Sequence, residues 1–227
     1  MNKETYDLIE GYMLSSMDDA AHDKEHIYRV LYTALDIAKT EEDVDMDVLI
    51  TACLLHDVGR KEQFENPKLC HAQVGAEKAK GFLLRNGFDA EFAERVSECI
   101  RSHRFRKDAP PKSIEAKILF DSDKVDAAGT LGIARTLVYK GQVNEPIYTM
   151  NEDGSVCDGS DSDCDFSFFQ EYKYKFERLY SKFFTFRGKE IAISRQKAAV
   201  DFYNALLWEV SSPYDKGRSA LESCINK

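Results

Sequence analysis

Apolar residues recur at intervals of three and four along nearly the whole chain. That spacing is the period of an amphipathic α-helix, whereas a half-buried β-strand would alternate apolar and polar residues. In residues 23–40, for example, Ile27, Val30, Ala34 and Ile37 fall on one face of a helix. The sequence therefore predicts an all-α fold.

The limits of the helices are indicated by residues that interrupt this period. Gly59 and the pair Pro110 and Pro111 are of the types that end helices or separate them. A later helix is expected to step around Gly129, and two C-terminal helices to meet around Gly188. The predicted helices cover residues 3–17, 23–40, 47–59, 72–85, 90–104, 112–139 and, in two pieces, 166–210.

The chain has 227 residues, of which 43% are hydrophobic and 31% charged, which suits one globular core. We expect a single domain, in which residues 1–140 form the helical core and residues 141–227 add an acidic loop and helices that pack on it. Residues 151–165 combine Asp with Gly and Ser, a composition typical of an exposed loop. An EF-hand is excluded there, because Phe166 stands where that loop needs Gly and Tyr172 where it needs Glu.

The net charge of -9 disfavours nucleic acid as a partner, because binding to a phosphate backbone needs a surplus of Lys and Arg. Residues 1–17 contain no uninterrupted apolar run, so we expect neither a secretory signal nor a membrane partner, and we place the protein in the cytoplasm. The six cysteines form no CxxC pair, and we expect reduced thiols, with a disulfide or a metal role for Cys157 and Cys164 as the less favoured alternative. The oligomeric state stays open.

Candidate chemistry lies in the histidines, of which the chain has five. A single inward-facing histidine is most often a hydrogen-bonded core residue, but several on separate helices of a bundle are typical of a metal site. Mixed nitrogen and oxygen ligands suit first-row divalent metals. The residues predicted to face inward are His26, His56, His71 and His103, together with the carboxylates Asp57 and Asp121.

The order of these residues resembles that of the HD-domain phosphohydrolase superfamily, which has a lone His, an adjacent His-Asp pair and a distant Asp. The motifs are AHDKEHIYRV with His26, LLHDVGR with His56 and Asp57, and ILFDSDKVDAAG with Asp121. The resemblance covers about residues 20–140, and the later aromatic helices are similar to those of stand-alone HD hydrolases. It implies a helical bundle of the HD type with extra C-terminal helices.

Carried over by position, the resemblance makes four residues the ligands of one metal, namely His26, His56, Asp57 and Asp121. Helical geometry also allows Asp123, so that the choice of Asp121 depends on the family pattern, and Asp126 is a weaker alternative. The resemblance implies a divalent ion such as Mn, Fe, Co, Ni, Mg or Zn.

His71 and His103 resemble two further histidines of HD proteins with binuclear sites, in which Asp57 would bridge both metals. With a single metal, these two histidines would instead face the phosphate of the substrate. The centre is therefore expected to hold one or two ions per chain.

Such a metal would lower the pKa of a bound water for attack on phosphorus. Arg60, Lys61 and Lys124 lie close in sequence to the ligands and are candidates for binding phosphate oxygens. Arg104, clustered with Arg101 and Arg106, indicates a nucleotide or a polyphosphate. Solvated surface cations explain these basic residues nearly as well.

His22 and Asp23 precede His26 by about one helical turn and could orient a ligand or protonate the leaving group. An N-cap is an equally good interpretation of Asp23. With Asp57 and Arg60, these two residues complete the predicted catalytic set.

The sequence thus predicts a metal-dependent phosphohydrolase that cleaves a phosphate ester or anhydride in a nucleotide or a related small phosphorylated molecule. One alternative is a di-iron oxygenase of the HD fold. The other is a nucleotide sensor without turnover.

Overall fold

The computed structural model describes residues 1–16, 24–104, 110–160 and 166–225. These residues are mainly helical and form no β-strand beyond one isolated bridge between Met150 and Val156. The prediction of an all-α fold is therefore confirmed. The elements are α1 (Lys3–Ser15), α2 (Lys24–Ala38), α3 (Met46–Leu55), α4 (Arg60–Glu65), α5 (His71–Arg85), α6 (Ala90–Ser102), α7 (Ile114–Asp126), α8 (Gly129–Gln142), α9 (Phe168–Glu171), a π-helix (Tyr172–Phe176), α10 (Glu177–Leu179) and α11 (Phe186–Ile225).

Contacts between residues divide the chain into two compact units. The first unit consists of Met1–Asp126 and Phe183–Lys189, and the second of Ala127–Lys182 and Glu190–Lys227. The single domain with its internal boundary at residue 140 stays a prediction. Among the described residues, none of the helices has both the length and the apolar character needed to cross a membrane.

The core of the first unit is formed by the apolar faces that the sequence pattern indicates. α2 packs on α3 and α7, and α6 packs on α3, α5 and α7. Ile27, Val30, Ala34 and Ile37 of α2 are all fully buried. Each large apolar side chain buried in this way contributes about 1.5–3 kcal/mol to folding. This packing fixes the helix ends from which the histidines project.

α3 ends at Leu55, one turn earlier than the sequence suggests. His56 is the C-cap, and residues 56–59 form a turn that leads directly into α4. The turn is held by two backbone hydrogen bonds, from Val58 N to Leu55 O and from Arg60 N to Asp57 O. The His-Asp pair therefore lies at a helix end rather than within a helix.

The second unit begins at Ala127, and near its start the helix breaks at Gly129, where the sequence predicts that the helix steps around this residue. Gly129 has a φ of +80° and starts α8, because a left-handed conformation suits glycine and ends the preceding helical path. α11 is longer than expected, with 40 residues that continue through Pro213. Its start at Phe186 agrees with a helix boundary near Gly188.

Aromatic side chains form the core of the second unit. Phe168, Phe169, Tyr172 and Phe176 are buried with Tyr203 of α11. The rings of Tyr172 and Tyr203 stack with centroids 4.1 Å apart. The aromatic residues of this part of the chain therefore serve as packing.

Part of the acidic loop has ordered backbone contacts. Asp153 and Asp158 each accept a hydrogen bond from the backbone of a serine two residues later. Arg218 of α11 donates to the carbonyls of Asp153 and Gly154. The expectation of reduced thiols is wrong for Cys157, which is disulfide-bonded.

Gly59 offers a test of the packing around the His-Asp turn. A Cβ added at Gly59 would lie 2.4 Å from His71 O and 2.5 Å from Gly75 N, which are backbone atoms that cannot rotate away. We expect Gly59→Ala to lower the free energy of unfolding by about 1–3 kcal/mol, measured by urea denaturation. Gly11→Ala is the matched control, because nothing lies within 4 Å of its added Cβ. Equal stability of the two variants would contradict this account.

Candidate metal centre

Four buried histidines of the first unit project from helix ends. His26 lies in the first turn of α2, and His71 is the first residue of α5. His56 and His103 are the C-caps of α3 and α6. Helix ends bring these side chains together because α2, α3, α5 and α6 are joined through shared packing. With two aspartates they form two neighbouring groups, each of which could hold a metal ion.

The first group consists of His26, His56 and Asp123. The Nε2 atoms of His26 and His56 are 3.4 Å apart. Oδ1 of Asp123 is 3.4 Å from Nε2 of His26. Two imidazoles and a carboxylate thus converge from three different helices.

The second group consists of Asp57, His71 and His103. The Nε2 atoms of the two histidines are 3.3 Å apart and lie 3.6 and 3.7 Å from Oδ1 of Asp57. The other oxygen of Asp57, Oδ2, is 3.7 Å from Nε2 of both His26 and His56. Asp57 therefore stands between the two groups and presents one oxygen to each.

The Nδ1 atom of each histidine faces a hydrogen-bond acceptor. The four pairs are His26 with Asp126 Oδ2 at 2.7 Å, His56 with Cys53 O at 2.8 Å, His71 with Gln63 Oε1 at 2.6 Å and His103 with Ile100 O at 2.6 Å. An imidazole that donates from Nδ1 is left, in its neutral form, with a lone pair on Nε2. The lone pairs of all four rings would then point into the centre.

This arrangement fits a bound cation. With both rings neutral, the Nε2 lone pairs of His71 and His103 would face each other across 3.3 Å between the nitrogen atoms, which is favourable only around a positive charge. Asp57 Oδ1 is buried and has no hydrogen-bond partner among the described residues. Nε of Arg60 lies 2.9 Å from that oxygen as an ion pair, but it is not aligned for a hydrogen bond. A buried polar atom of this kind needs a partner.

The protonation states suit metal binding. Burial alone would raise the pKa of Asp57, but Arg60 and the surrounding histidines outweigh it and hold that pKa well below its usual value. Burial lowers the pKa of His71 to about 2 and that of His103 to about 4. Burial also lowers the pKa of His56. Ionised carboxylates and neutral imidazoles are the forms that bind metals.

His26 differs from the other three histidines. Burial would lower its pKa, but the carboxylates of Asp123 and Asp126 outweigh this effect and raise the pKa to about 9. The pKa of Asp123 is held well below its usual value, because Lys124 and His26 outweigh its burial. Without a metal, a proton on His26 supplies part of the charge that the carboxylates require.

Asp121, which the resemblance makes a ligand, belongs to neither group of converging donors. Its carboxylate accepts hydrogen bonds from the backbone of Phe184 and Thr185 and from the Thr185 hydroxyl, at 2.6–3.0 Å. Two residues along a helix turn the side chain by about 200°, so Asp121 and Asp123 face nearly opposite sides of α7. Asp123 therefore reaches the histidines, whereas Asp121 binds the residues that precede α11.

Asp126 also reaches the centre, although not as a member of either group. It holds Nδ1 of His26, and Nε of Arg29 binds its other oxygen at 2.7 Å. Gln63 holds Nδ1 of His71 in the way that Asp126 holds Nδ1 of His26. Gln63 was not predicted from the sequence, because a glutamine in a short helix carries no pattern that would single it out.

The predicted phosphate-binding residues do not all lie at the centre. Arg60 pairs with Asp57, and Lys124 pairs with Asp123 at 3.0 Å. The charges of Arg60 and Arg104 add to the effect of burial in lowering the pKa of His71.

Lys61 lines a surface pocket of roughly 370 Å³ together with Glu62 and Lys78, and none of the clustered ligands lines that pocket. His22 and Asp23 lie outside the described residues.

The HD domain family model matches residues 24–128. The uncharacterized protein YpgQ of Bacillus subtilis (strain 168) is 30% identical over 135 residues, which cover 58% of this chain and 63% of YpgQ. The match thus spans less than two thirds of that protein. A crystal structure of YpgQ in complex with ADP is similar with a TM-score of 0.68 and 25% identity, over 90% of this chain and 97% of the other.

The structure of a predicted HD superfamily hydrolase from an uncultured Thermotogales bacterium is 30% identical. Its TM-score is 0.57, and the similarity covers 88% of this chain and 90% of the other.

The two aspartates of α7 can be distinguished by substitution. We expect Asp123→Asn to weaken binding of Mn²⁺ by about tenfold or more, because it removes the charge of a donor, measured by isothermal titration calorimetry. Asp121→Asn is the matched control on the same helix and should retain Mn²⁺ binding while lowering the melting temperature. Loss of Mn²⁺ binding in Asp121→Asn alone would instead favour Asp121 as the ligand, as the resemblance implies.

Proposed function

This chain belongs to the HD superfamily, and from that membership and the geometry of its centre we propose that it is a metal-dependent phosphohydrolase. The family supports an enzyme of the hydrolase type. Hydrolysis of a phosphate ester or anhydride, and a nucleotide as the substrate, are our proposal. The observation that carries it is the position of Asp57, with one oxygen towards each of two histidine pairs.

The residues proposed to hold metal are those whose donor atoms converge. His26, His56 and Asp123 would bind one ion, His71 and His103 a second, and Asp57 would contact both. The nitrogen-rich donor set favours Mn, Fe, Co, Ni or Zn over Mg. When bound, such ions polarise phosphate oxygens and lower the pKa of a water for attack on phosphorus.

Arg60 is proposed to bind the phosphoryl group. Its Nε pairs with Asp57 Oδ1, and its other guanidinium nitrogens are further donors of the planar fork that suits phosphate oxygens. Lys124 holds Asp123 and lies 4.8 Å above the ring of Phe120, which fixes its ammonium group beside the centre. These cations would offset charge that develops on the phosphoryl oxygens.

A nucleotide is the substrate class that we propose. The YpgQ structure contains ADP, and that protein is 25% identical to this chain in the structural comparison. Arg104 is exposed and directly follows His103 in the chain, where a second phosphate of a nucleotide could reach it. The overall charge of -9 means that such local cations, rather than the whole surface, would attract the anion. The cytoplasmic location stays a prediction.

The function can be tested by measuring phosphate release from a panel of nucleotides with Mn²⁺, Co²⁺, Ni²⁺, Mg²⁺ and Fe²⁺. We expect release with at least one metal and a loss of about 100-fold or more in His56→Ala, since a removed metal ligand removes the activation of water. Glu115→Gln is a matched control, because Glu115 is also buried but pairs with Arg95 and the backbone of Asp45. Full activity in His56→Ala would overturn the site assignment.

The two histidine pairs around one carboxylate would also suit a di-iron centre, so the same preparation should be tested for oxygen uptake. Bound iron with oxygen uptake and no phosphate release would favour an oxygenase over a hydrolase. Tight binding of a nucleotide by the metal-loaded protein without any turnover would instead favour a sensor.

Arg104 provides a test of the substrate class. We expect Arg104→Ala to raise KM for a nucleoside diphosphate or triphosphate by about tenfold, the loss of about 1.4 kcal/mol, with little change in kcat. Arg101→Ala is the matched control, because Arg101 pairs with Glu77 on the surface. Equal effects of the two variants would contradict a specific role for Arg104.

A further inference from the structure

The histidines of the proposed metal centre are oriented in two different ways. His56 and His103 each donate from Nδ1 to the carbonyl three residues earlier in their own helix. This arrangement is the same in both groups, so it does not distinguish them. The difference lies in His26 and His71, whose Nδ1 atoms are held by side chains.

His26 is held by a charged side chain. Asp126 Oδ2 lies 2.7 Å from Nδ1, and the Asp126 side chain is only 4% exposed. Arg29 fixes this carboxylate from the other side, with Nε 2.7 Å from Oδ1 and a second guanidinium nitrogen 3.3 Å from Oδ2. An anionic partner of this kind orients a ligating imidazole and makes it a stronger donor.

His71 is held by a neutral side chain. Gln63 Oε1 lies 2.6 Å from Nδ1 of His71. The amide nitrogen of Gln63 donates to Leu69 O at 3.2 Å, so the oxygen of the amide is the atom that faces the ring. This contact orients the imidazole but adds no negative charge.

The proposed ligand sets also differ in negative charge, and the group with His26 again has more of it. The group of His26, His56 and Asp123 has a carboxylate of its own besides Oδ2 of Asp57. The group of His71 and His103 has only Oδ1 of Asp57, and Nε of Arg60 lies 2.9 Å from that oxygen. A fixed cation at this position competes with a metal ion for the same lone pairs.

We propose that the two halves of the centre bind metal with unequal affinity, the half with His26 more tightly, and that Asp126 and Gln63 are the positioning residues that contribute to this difference. This inference rests on the proposed function, because it assumes that the cluster binds metal. One ion would remain resident, whereas the ion at His71 and His103 would exchange with solvent.

The experiment is a titration of the metal-free full chain with Mn²⁺, in which free Mn²⁺ is measured by its EPR signal. We expect two classes of site whose dissociation constants differ by at least tenfold. Asp126→Asn retains an oxygen that can accept a hydrogen bond from Nδ1 of His26 but removes the negative charge. It should therefore raise the Mn²⁺ dissociation constant of the tight sites by about 10-fold to 100-fold and leave that of the weak sites unchanged. Gln63→Leu should weaken only the weak class.

Controls separate positioning from a loss of stability. Glu115→Gln removes the charge of a different buried carboxylate and should lower the melting temperature of the metal-free protein without changing either dissociation constant. Gln63→Glu supplies the missing charge and should tighten the weak class, a gain that general destabilisation cannot produce. All titrations are made well below the lowest melting temperature of the set.

Two sites of equal affinity would overturn the inference. So would weaker Mn²⁺ binding at the tight sites in Gln63→Leu, or unchanged affinities in Asp126→Asn. A single bound ion that Asp126→Asn weakens and Gln63→Leu does not would support the order of affinities. Failure of the wild-type chain to bind any Mn²⁺ would overturn the proposed metal centre itself, and the inference with it.

Discussion

The burial of Asp57 among four imidazoles is the constraint on which the rest of the site depends. A carboxylate in this position must be balanced by positive charge, because an isolated buried charge is costly. The protein supplies one cation, Arg60, next to Oδ1, and a proton on His26 near Oδ2. The remaining lone pairs converge where metal ions are proposed to bind.

Helix ends, rather than helix faces, make this convergence possible. His56 and His103 act as C-caps and bond carbonyls of their own helices, so that capping and ligand orientation are achieved by the same contact. The absence of a Cβ at Gly59 lets the turn after the His-Asp pair lie against the backbone of His71 and Gly75. The stability of the first unit and the geometry of the site are therefore coupled.

Acidic residues on α7 divide their roles according to the face of the helix on which they lie. Asp123 faces the histidines. Asp126, about one turn later, accepts a hydrogen bond from Nδ1 of His26. Asp121 faces away and holds the backbone before α11, so its burial serves the attachment of residues 183–189. One helix thus supplies a proposed ligand, a positioning residue and a structural anchor.

By itself, the sequence determined the all-α fold, the buried face of α2 and the identity of the four clustered histidines with Asp57. These features follow from helical periodicity and from the order of motifs, both of which are local properties of the chain. Only the tertiary structure placed Asp123 rather than Asp121 beside the histidines, and brought Asp126 and Gln63 to the Nδ1 atoms of His26 and His71. A shift of two residues along a helix changes the partner completely, and contacts such as His26 with Asp126, 100 residues apart, depend on packing that no local pattern encodes.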